Sequence, residues 1–220
     1  MVDKNIWVVI PAYNESKHIS EVIKKTKKYC KNIIVVDDGS KDNTSELAKN
    51  LSVYVLKNIV NMGKGSSLKT GCDFAIKKNT DIIIVMDADG QHNPDHIPRL
   101  IKELEFNEIV FTHRKFSKHM PFILRFGNIM INRFTRLLYG VNLKDTQCGF
   151  RAFTSLAYKK IRWKAADYSM ESEMIAKAGK HHLKYSEIEI ETIYSDKYKG
   201  TTVLDGFKIV FNMIKLKFGG

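Results

Sequence analysis

Short runs of apolar residues alternate along the first half of the chain with longer segments in which apolar residues recur every three or four positions. The runs predict five buried strands, at residues 6–10, 33–37, 53–56, 82–85 and 108–112. The segments between them predict amphipathic helices that begin near residues 16, 43, 63 and 94. Strands and helices in alternation are typical of an α/β fold, so we predict a Rossmann-like, mostly parallel central sheet with helices on both faces.

Three of the predicted strands end in polar or turn-forming residues: Pro11, Asp38 and Asp87. Right-handed crossovers place the ends of parallel strands along one edge of a sheet. Open α/β sheets bind their ligands at the carboxyl ends of the strands. We therefore expect these three residues to line a single cleft.

The segment after the strand at 82–85 carries two carboxylates, Asp87 and Asp89, one residue apart. Their mutual repulsion favours a bound cation, and their oxygens are hard ligands of the kind that Mg²⁺ or Mn²⁺ prefers. We predict that this pair binds Mg²⁺ or Mn²⁺ and that Gln91 reaches the metal or the acceptor. Taken alone, the two aspartates are better explained as loop and capping residues before the helix that Asn93-Pro94 begins, so other motifs must support the metal site.

The formal net charge of +12 implies an anionic partner, such as a nucleotide, a lipid phosphate, a membrane surface or nucleic acid. No apolar run approaches the ~18–20 residues of a membrane-spanning helix, and the N-terminus lacks the pattern of a signal peptide. Three scattered cysteines, Cys30, Cys72 and Cys148, suit a reducing compartment. These features predict a cytoplasmic protein.

Five polar motifs follow one another along the chain: Pro-Ala-Tyr-Asn-Glu at 11–15, Asp-Asp-Gly-Ser at 37–40, Asn-Met-Gly-Lys-Gly at 61–65, Asp-Ala-Asp-Gly-Gln at 87–91 and Asp-Thr-Gln-Cys-Gly-Phe-Arg at 145–151. In this order they resemble the family 2 glycosyltransferases of GT-A fold, over about residues 5–175. Within that family the chain is similar to the polyprenyl-phosphate sugar synthases, and the last motif resembles the dolichyl-phosphate glucose synthase group. The resemblance implies inverting, metal-dependent transfer of a hexose from a UDP-sugar to polyprenyl (dolichyl) phosphate, which gives a lipid-linked phosphosugar for glycan assembly.

The resemblance also implies roles on the donor side. The donor site is assigned to Pro11, Tyr13, Glu15, Asp37, Asp38 and Lys64. Asp38 would accept the imide N–H of uracil, and Lys64, on a glycine-flanked turn before a helix, would add positive charge near phosphate. A metal held by Asp89 would stabilise the negative charge on the departing diphosphate. Asp87 would be a second ligand or bind the ribose, and Gln91 completes the catalytic set.

The acceptor site is predicted around an amphipathic helix at residues 121–139, on which Arg125 and Arg136 form a cationic stripe. Cations beside apolar surface suit a lipid phosphate. In the resembling enzymes, arginines at the positions of Arg114 and Arg125 are implicated in binding the acceptor phosphate, and we assign Gln147 and Arg136 to the same site. The alternative is a solvated basic helix face.

We assign residues 1–200 to a single GT-A-like domain and residues 201–220 to an amphipathic C-terminal helix. That helix could lie on an acidic bilayer, cap the sheet or form a dimer contact. The expected partners are a nucleotide-sugar donor, a polyprenyl-phosphate acceptor and the membrane surface. The expected location is peripheral, at the cytoplasmic face of the membrane.

Two other functions remain open at the level of sequence. A family 2 transferase with a carbohydrate acceptor would need a carboxylate base, for which Glu171, Glu173 and Asp145 are available. A phosphate acceptor, whose second pKa is near ~6, needs no such base. A non-catalytic nucleic-acid or membrane-binding module would explain the charge but not the five motifs, so we predict no nucleic-acid partner.

Overall fold

The computed structural model describes residues 4–115, 122–191 and Lys217, and for residues 122–130 it describes the helix but not the side chains. The strands are β1 (Ile6–Ala12), β2 (Asn32–Asp37), β3 (Tyr54–Lys57), β4 (Ile82–Val85), β5 (Ile109–Arg114), β6 (Arg151–Thr154) and β7 (Tyr185–Ile190). The helices are α1 (Ile19–Thr26), α2 (Thr44–Lys49), α3 (Lys64–Lys77), α4 (Ile97–Glu103), α5 (Phe122–Tyr139), α6 (Ser155–Ile161) and α7 (Met170–Lys180). A 3-10 turn at Pro94–His96 precedes α4.

The seven strands form one sheet in the order β3-β2-β1-β4-β6-β5-β7. β1 pairs in parallel with β2 on one side and with β4 on the other, and β2 pairs in parallel with β3. Among the strands of the described residues, only β6 runs antiparallel to its neighbours, β4 and β5. The ends of β1, β2 and β4 therefore lie along one edge, as the sequence predicts.

Apolar side chains from both faces of the sheet pack against helices, which explains why β4 has no polar residue. On one face, Val8, Ile10 and their neighbours contact the buried residues of α1, α2 and α4. On the other, Val9 and Val36 pack with α3, α6 and α7. The prediction of a mostly parallel α/β sheet covered on both faces is confirmed.

One local expectation was wrong. The first helix begins at Ile19 rather than near residue 16, because residues 15–18 form a turn in which His18 N–H donates to the Glu15 carbonyl. The last residue of the motif at 145–151, Arg151, begins β6 and pairs with Val85 at the carboxyl end of β4. This pairing places the rest of the motif at the edge where the cleft is expected.

None of the helices in the described part of the chain has the length and apolar character required to cross a bilayer. The predicted C-terminal helix at 201–220 lies outside the described residues, Lys217 excepted. Its division from residues 1–200 therefore stays a prediction.

Candidate active site

A cleft of about 360 Å³ opens where β1, β2 and β4 end and α3 begins. Its lining residues are Pro11, Ala12, Tyr13, Glu15, Asp38, Asn61, Gly63, Lys64, Asp87, Ala88, Asp89, Asp167 and Tyr168. Most of the predicted donor and metal residues are thus brought together. Of the predicted residues whose side chains the structure describes, those that do not line the cleft are Asp37, Gln91, Arg114, Arg136 and Gln147.

At the floor of the cleft, the ammonium of Lys64 lies between two carboxylates. Lys64 Nζ is 2.8 Å from Asp87 Oδ1 and 3.0 Å from Glu171 Oε1, and the side chains of Lys64 and Glu171 are only 15% and 3% exposed. Burial alone would lower the pKa of Lys64, but the two carboxylates outweigh burial and raise it well above its ordinary value. Lys64 is therefore a permanent positive charge in this site.

Asp87 is positioned by its neighbours as well as by β4. Its N–H donates to Nδ1 of His92 at 3.1 Å, and the His92 ring stacks on Phe150 with the ring centroids 5.3 Å apart. Burial raises the pKa of Asp87, but the positive charge of nearby Lys64 outweighs burial, so the pKa of this carboxyl lies below its usual value. Asp87 is thus ionised at neutral pH. No sequence motif identifies His92 as part of the site, which it contacts through the backbone of Asp87.

The loop at 145–150 approaches this ion pair at Gly149. A Cβ atom at this position would lie 2.9 Å from Lys64 Nζ and 3.0 Å from Asp87 Oδ2. A larger residue at this position would have to displace the ends of these two side chains. The fifth sequence motif therefore packs against the ion pair of Lys64 and Asp87.

Asp38, expected to bind the base, is tied to the loop in front of α3. Its carboxylate accepts hydrogen bonds, each 2.8 Å long, from Asn58 Nδ2 and from the N–H groups of Met62 and Gly63. A carboxylate offers about four acceptor positions, so one remains for a ligand. Asp37 lies behind it, fully buried, and accepts a hydrogen bond from the Ser40 N–H at 2.9 Å.

Asp89 lines the cleft, and its Oδ1 accepts a hydrogen bond from the Gln91 N–H at 3.0 Å. Within the described residues, no three His, Cys, Asp or Glu side chains are arranged to hold a metal ion. Mg²⁺ commonly uses one or two carboxylates and completes its shell with water and substrate phosphates. Asp87 and Asp89 fit that arrangement, so the cleft suits a cation that is shared with a phosphate-bearing substrate.

The predicted acceptor residues are more dispersed. Arg114, at the end of β5, donates to Asp145 through Nε at 2.7 Å and Nη2 at 3.3 Å. Gln147 Nε2 lies 3.5 Å from Ser172 Oγ at the start of α7. Arg136 is exposed on α5, and the side chain of Arg125 lies outside the described residues. Among the acceptor residues whose side chains are described, Arg114 therefore contacts the loop that flanks the cleft, and Gln147 is part of that loop.

The carboxylates considered as catalytic bases are all engaged in contacts. Glu171 pairs with Lys64, and Asp145, only 1% exposed, pairs with Arg114. Glu173 accepts hydrogen bonds from the N–H groups of Lys164 and Ala165, and it pairs with Lys177 at 2.9 Å. These contacts hold the loop before α7 in place.

The fold of the chain resembles that of a solved glycosyl-transferring enzyme. A crystal structure of glucosyl-3-phosphoglycerate synthase from Mycobacterium tuberculosis, in complex with Mg²⁺ and UDP, is similar with a TM-score of 0.77 and covers 99% of this chain and 80% of that one. The two sequences are 18% identical. The likeness confirms the predicted GT-A fold.

Residues 7–162 match the family described as glycosyl transferase family 2. The chain therefore belongs to the family 2 glycosyltransferases, as its motifs predict. A UDP-N-acetylglucosamine–dolichyl-phosphate N-acetylglucosaminyltransferase of Methanococcus voltae is 36% identical to it over 100% of this chain and 98% of that protein. A dolichyl-phosphate beta-glucosyltransferase of Trichomonas vaginalis is 30% identical over 84% of this chain and 64% of its own length.

Proposed function

We propose that this enzyme transfers a hexose from a UDP-sugar to polyprenyl (dolichyl) phosphate with inversion at the anomeric carbon. Both of the relatives named above carry dolichyl phosphate in their names, which supports a lipid phosphate as the acceptor. The Methanococcus voltae relative matches the whole chain at the higher identity, and its name specifies UDP-N-acetylglucosamine. N-acetylglucosamine is therefore the sugar that we propose first, and glucose is the second choice.

On the donor side, Asp38 accepts the uracil imide in the position left among its three hydrogen bonds. Lys64 Nζ, fixed at the floor of the cleft, lies where the diphosphate needs positive charge. A divalent cation held by Asp89, with Asp87 as a second ligand, would act as a Lewis acid on the departing UDP. Tyr13 and Glu15 line the mouth of the cleft beside the base.

We choose a phosphate as the acceptor because all three candidate bases are already paired with other residues. Glu171, Glu173 and Asp145 are each at most 5% exposed and each paired with a cation, so none of them is available to deprotonate a sugar hydroxyl. A phosphate monoester is largely dianionic at neutral pH, since its second pKa is ~6. Its oxygen can attack the anomeric carbon and displace UDP without a base.

On the acceptor side, Arg114 lies next to the fifth motif and can share its guanidinium between Asp145 and a phosphate. Arg136 is exposed on the amphipathic α5, and we propose that this helix binds the lipid surface. The role predicted for Arg125, on the same helix, stays a prediction. We propose that α5 and residues 201–220 face the cytoplasmic side of the membrane.

The test is a donor and acceptor panel with the full chain. UDP-N-acetylglucosamine, UDP-glucose and GDP-mannose are each supplied with dolichyl phosphate and Mg²⁺ or Mn²⁺, and the products are identified by mass spectrometry. We expect a glycosyl phospholipid from a UDP-sugar, and no product from dolichol without its phosphate or in the presence of EDTA. Transfer to free sugars but not to dolichyl phosphate would instead establish a carbohydrate acceptor.

Replacing Gly149 by alanine should impair donor binding, because the added methyl group would lie within 3.0 Å of Lys64 Nζ and Asp87 Oδ2. We expect kcat/KM for the UDP-sugar to fall by ~10-fold or more, and the free energy of unfolding to fall by ~1–3 kcal/mol, as for other overpacked sites. Calorimetric titration with UDP and a thermal melt measure the two effects. An unchanged affinity for UDP would show that the loop does not press on the ion pair.

A further inference from the structure

The Lys64 side chain has little freedom to leave the floor of the cleft. Lys64 is the first residue of α3. A Cβ atom on the preceding Gly63 would lie 2.5 Å from the Ala166 carbonyl oxygen, and one on Gly65 would lie 2.5 Å from that of Ala165. The turn is therefore packed directly against the backbone before α7, and its lysine is aimed at Asp87 and Glu171.

This arrangement changes what Asp87 can offer to a metal. One of its oxygens, Oδ1, forms an ion pair with Lys64 at 2.8 Å, so this oxygen is already occupied by an ammonium, which Asp87 shares with Glu171. A divalent cation at Asp87 would lie within a few ångströms of a fixed positive charge and would be repelled by it. Asp89 alone would then have to bind the cation, with water in the remaining positions.

A diphosphate removes this obstacle. Its oxygens are metal ligands, and they also provide a new partner for the ammonium. Glu171 Oε1 lies 3.0 Å from Lys64 Nζ. This contact holds the lysine side chain in the site when the ion pair between Lys64 and Asp87 is broken. The second oxygen, Glu171 Oε2, is buried and has no hydrogen-bond partner among the described residues, so a further acceptor is present beside the ammonium.

We propose that Lys64 is an internal counter-ion of Asp87, which keeps divalent cations out of the cleft until a nucleoside diphosphate arrives. Lys64 thereby couples metal binding to nucleotide binding, and Glu171 is the positioning residue that retains the lysine in both states. The inference rests on the proposed function, because it assumes that the cleft takes a nucleoside diphosphate together with a divalent cation.

The test measures Mn²⁺ binding alone, by electron paramagnetic resonance of the free ion, to the full chain without nucleotide. We expect weak binding by the wild type and at least ~10-fold tighter binding by Lys64→Met, because the repelling charge is gone. The double variant Lys64→Met/Asp87→Asn should lose that gain, since the released carboxylate is then absent. Lys69→Met, which removes a lysine from the same helix, is the matched control for net charge and should bind like the wild type.

Circular dichroism checks that each variant is folded, and Lys64→Gln, which keeps a hydrogen-bonding side chain, replaces Lys64→Met if the latter unfolds. Mn²⁺ affinity that is unchanged or weaker in the folded Lys64 variant would overturn the inference, provided that the wild type binds Mn²⁺ in the presence of UDP. Failure of the wild type to bind Mn²⁺ even with UDP would instead overturn the metal requirement of the proposed function, and this inference with it.

Discussion

Replacing Asp89 by asparagine should slow sugar transfer by roughly 10²–10³-fold and leave the stability of the protein nearly unchanged. Asparagine has the same shape, and its Oδ1 can still accept the hydrogen bond from the Gln91 N–H. The change removes only the charge, which is the property that a metal ligand requires. The side chain is partly exposed in the cleft, so a loss of stability beyond ~0.5 kcal/mol is not expected.

The measurement compares initial rates with UDP-N-acetylglucosamine and dolichyl phosphate across a range of Mn²⁺ concentrations. Asp95→Asn is the matched control, because Asp95 lies in the same segment but is exposed and bonded to Tyr29 instead of lining the cleft. We expect this control to work at the wild-type rate. An Asp89→Asn enzyme with the wild-type rate, or a wild type that is indifferent to EDTA, would contradict the role given to this carboxylate.

The half of the sheet that forms the donor cleft could be predicted from local sequence. β1, β2 and β4 are continuous apolar runs, because each is covered by helices on both faces. Right-handed crossovers then leave few ways of arranging their ends. For this reason Pro11, Asp38 and Asp87 were expected in one cleft, and the structure places them there.

The other half depends on contacts between residues far apart in the chain. β6 is only four residues long and begins with an arginine, so its sequence resembles a polar loop. It becomes a strand because β4 and β5 bind it from both sides. The pairing of Lys64 with Glu171 also depends on distant contacts, since it requires the segment before α7 to pack against the turn at Gly63.

The residues of the site whose roles are hardest to predict from the sequence are charged residues that the fold buries. From the sequence, Glu171 is only a candidate base, and Arg151 is only the last residue of the fifth motif. In the fold, both are almost completely buried. Burial of such groups cannot be inferred from residue type, because charged side chains are exposed in most contexts.

Arg151→Met should give a loss of stability of about 3–5 kcal/mol, the largest that we expect for a single substitution in this protein. Its guanidinium, 1% exposed, donates to the carbonyl oxygens of Thr146, Cys148 and Glu171 at 2.8–3.0 Å. Methionine fills a similar volume but leaves three buried carbonyls without these donors. Each lost partner costs ~1–3 kcal/mol.

Urea unfolding of Arg151→Met is compared with that of Arg162→Met. The comparison separates the loss of the three buried hydrogen bonds of Arg151 from the general effect of removing an arginine. Arg162, unlike Arg151, binds a carboxylate, that of Asp73 at 2.7 Å. Its side chain is 50% exposed, so its loss should cost at most ~1 kcal/mol. Equal shifts in the urea midpoint would show that the carbonyls of Thr146 and Cys148 do not depend on Arg151. Because those carbonyls belong to the loop that brings Gly149 against Lys64 and Asp87, a folded Arg151→Met enzyme should also bind UDP more weakly.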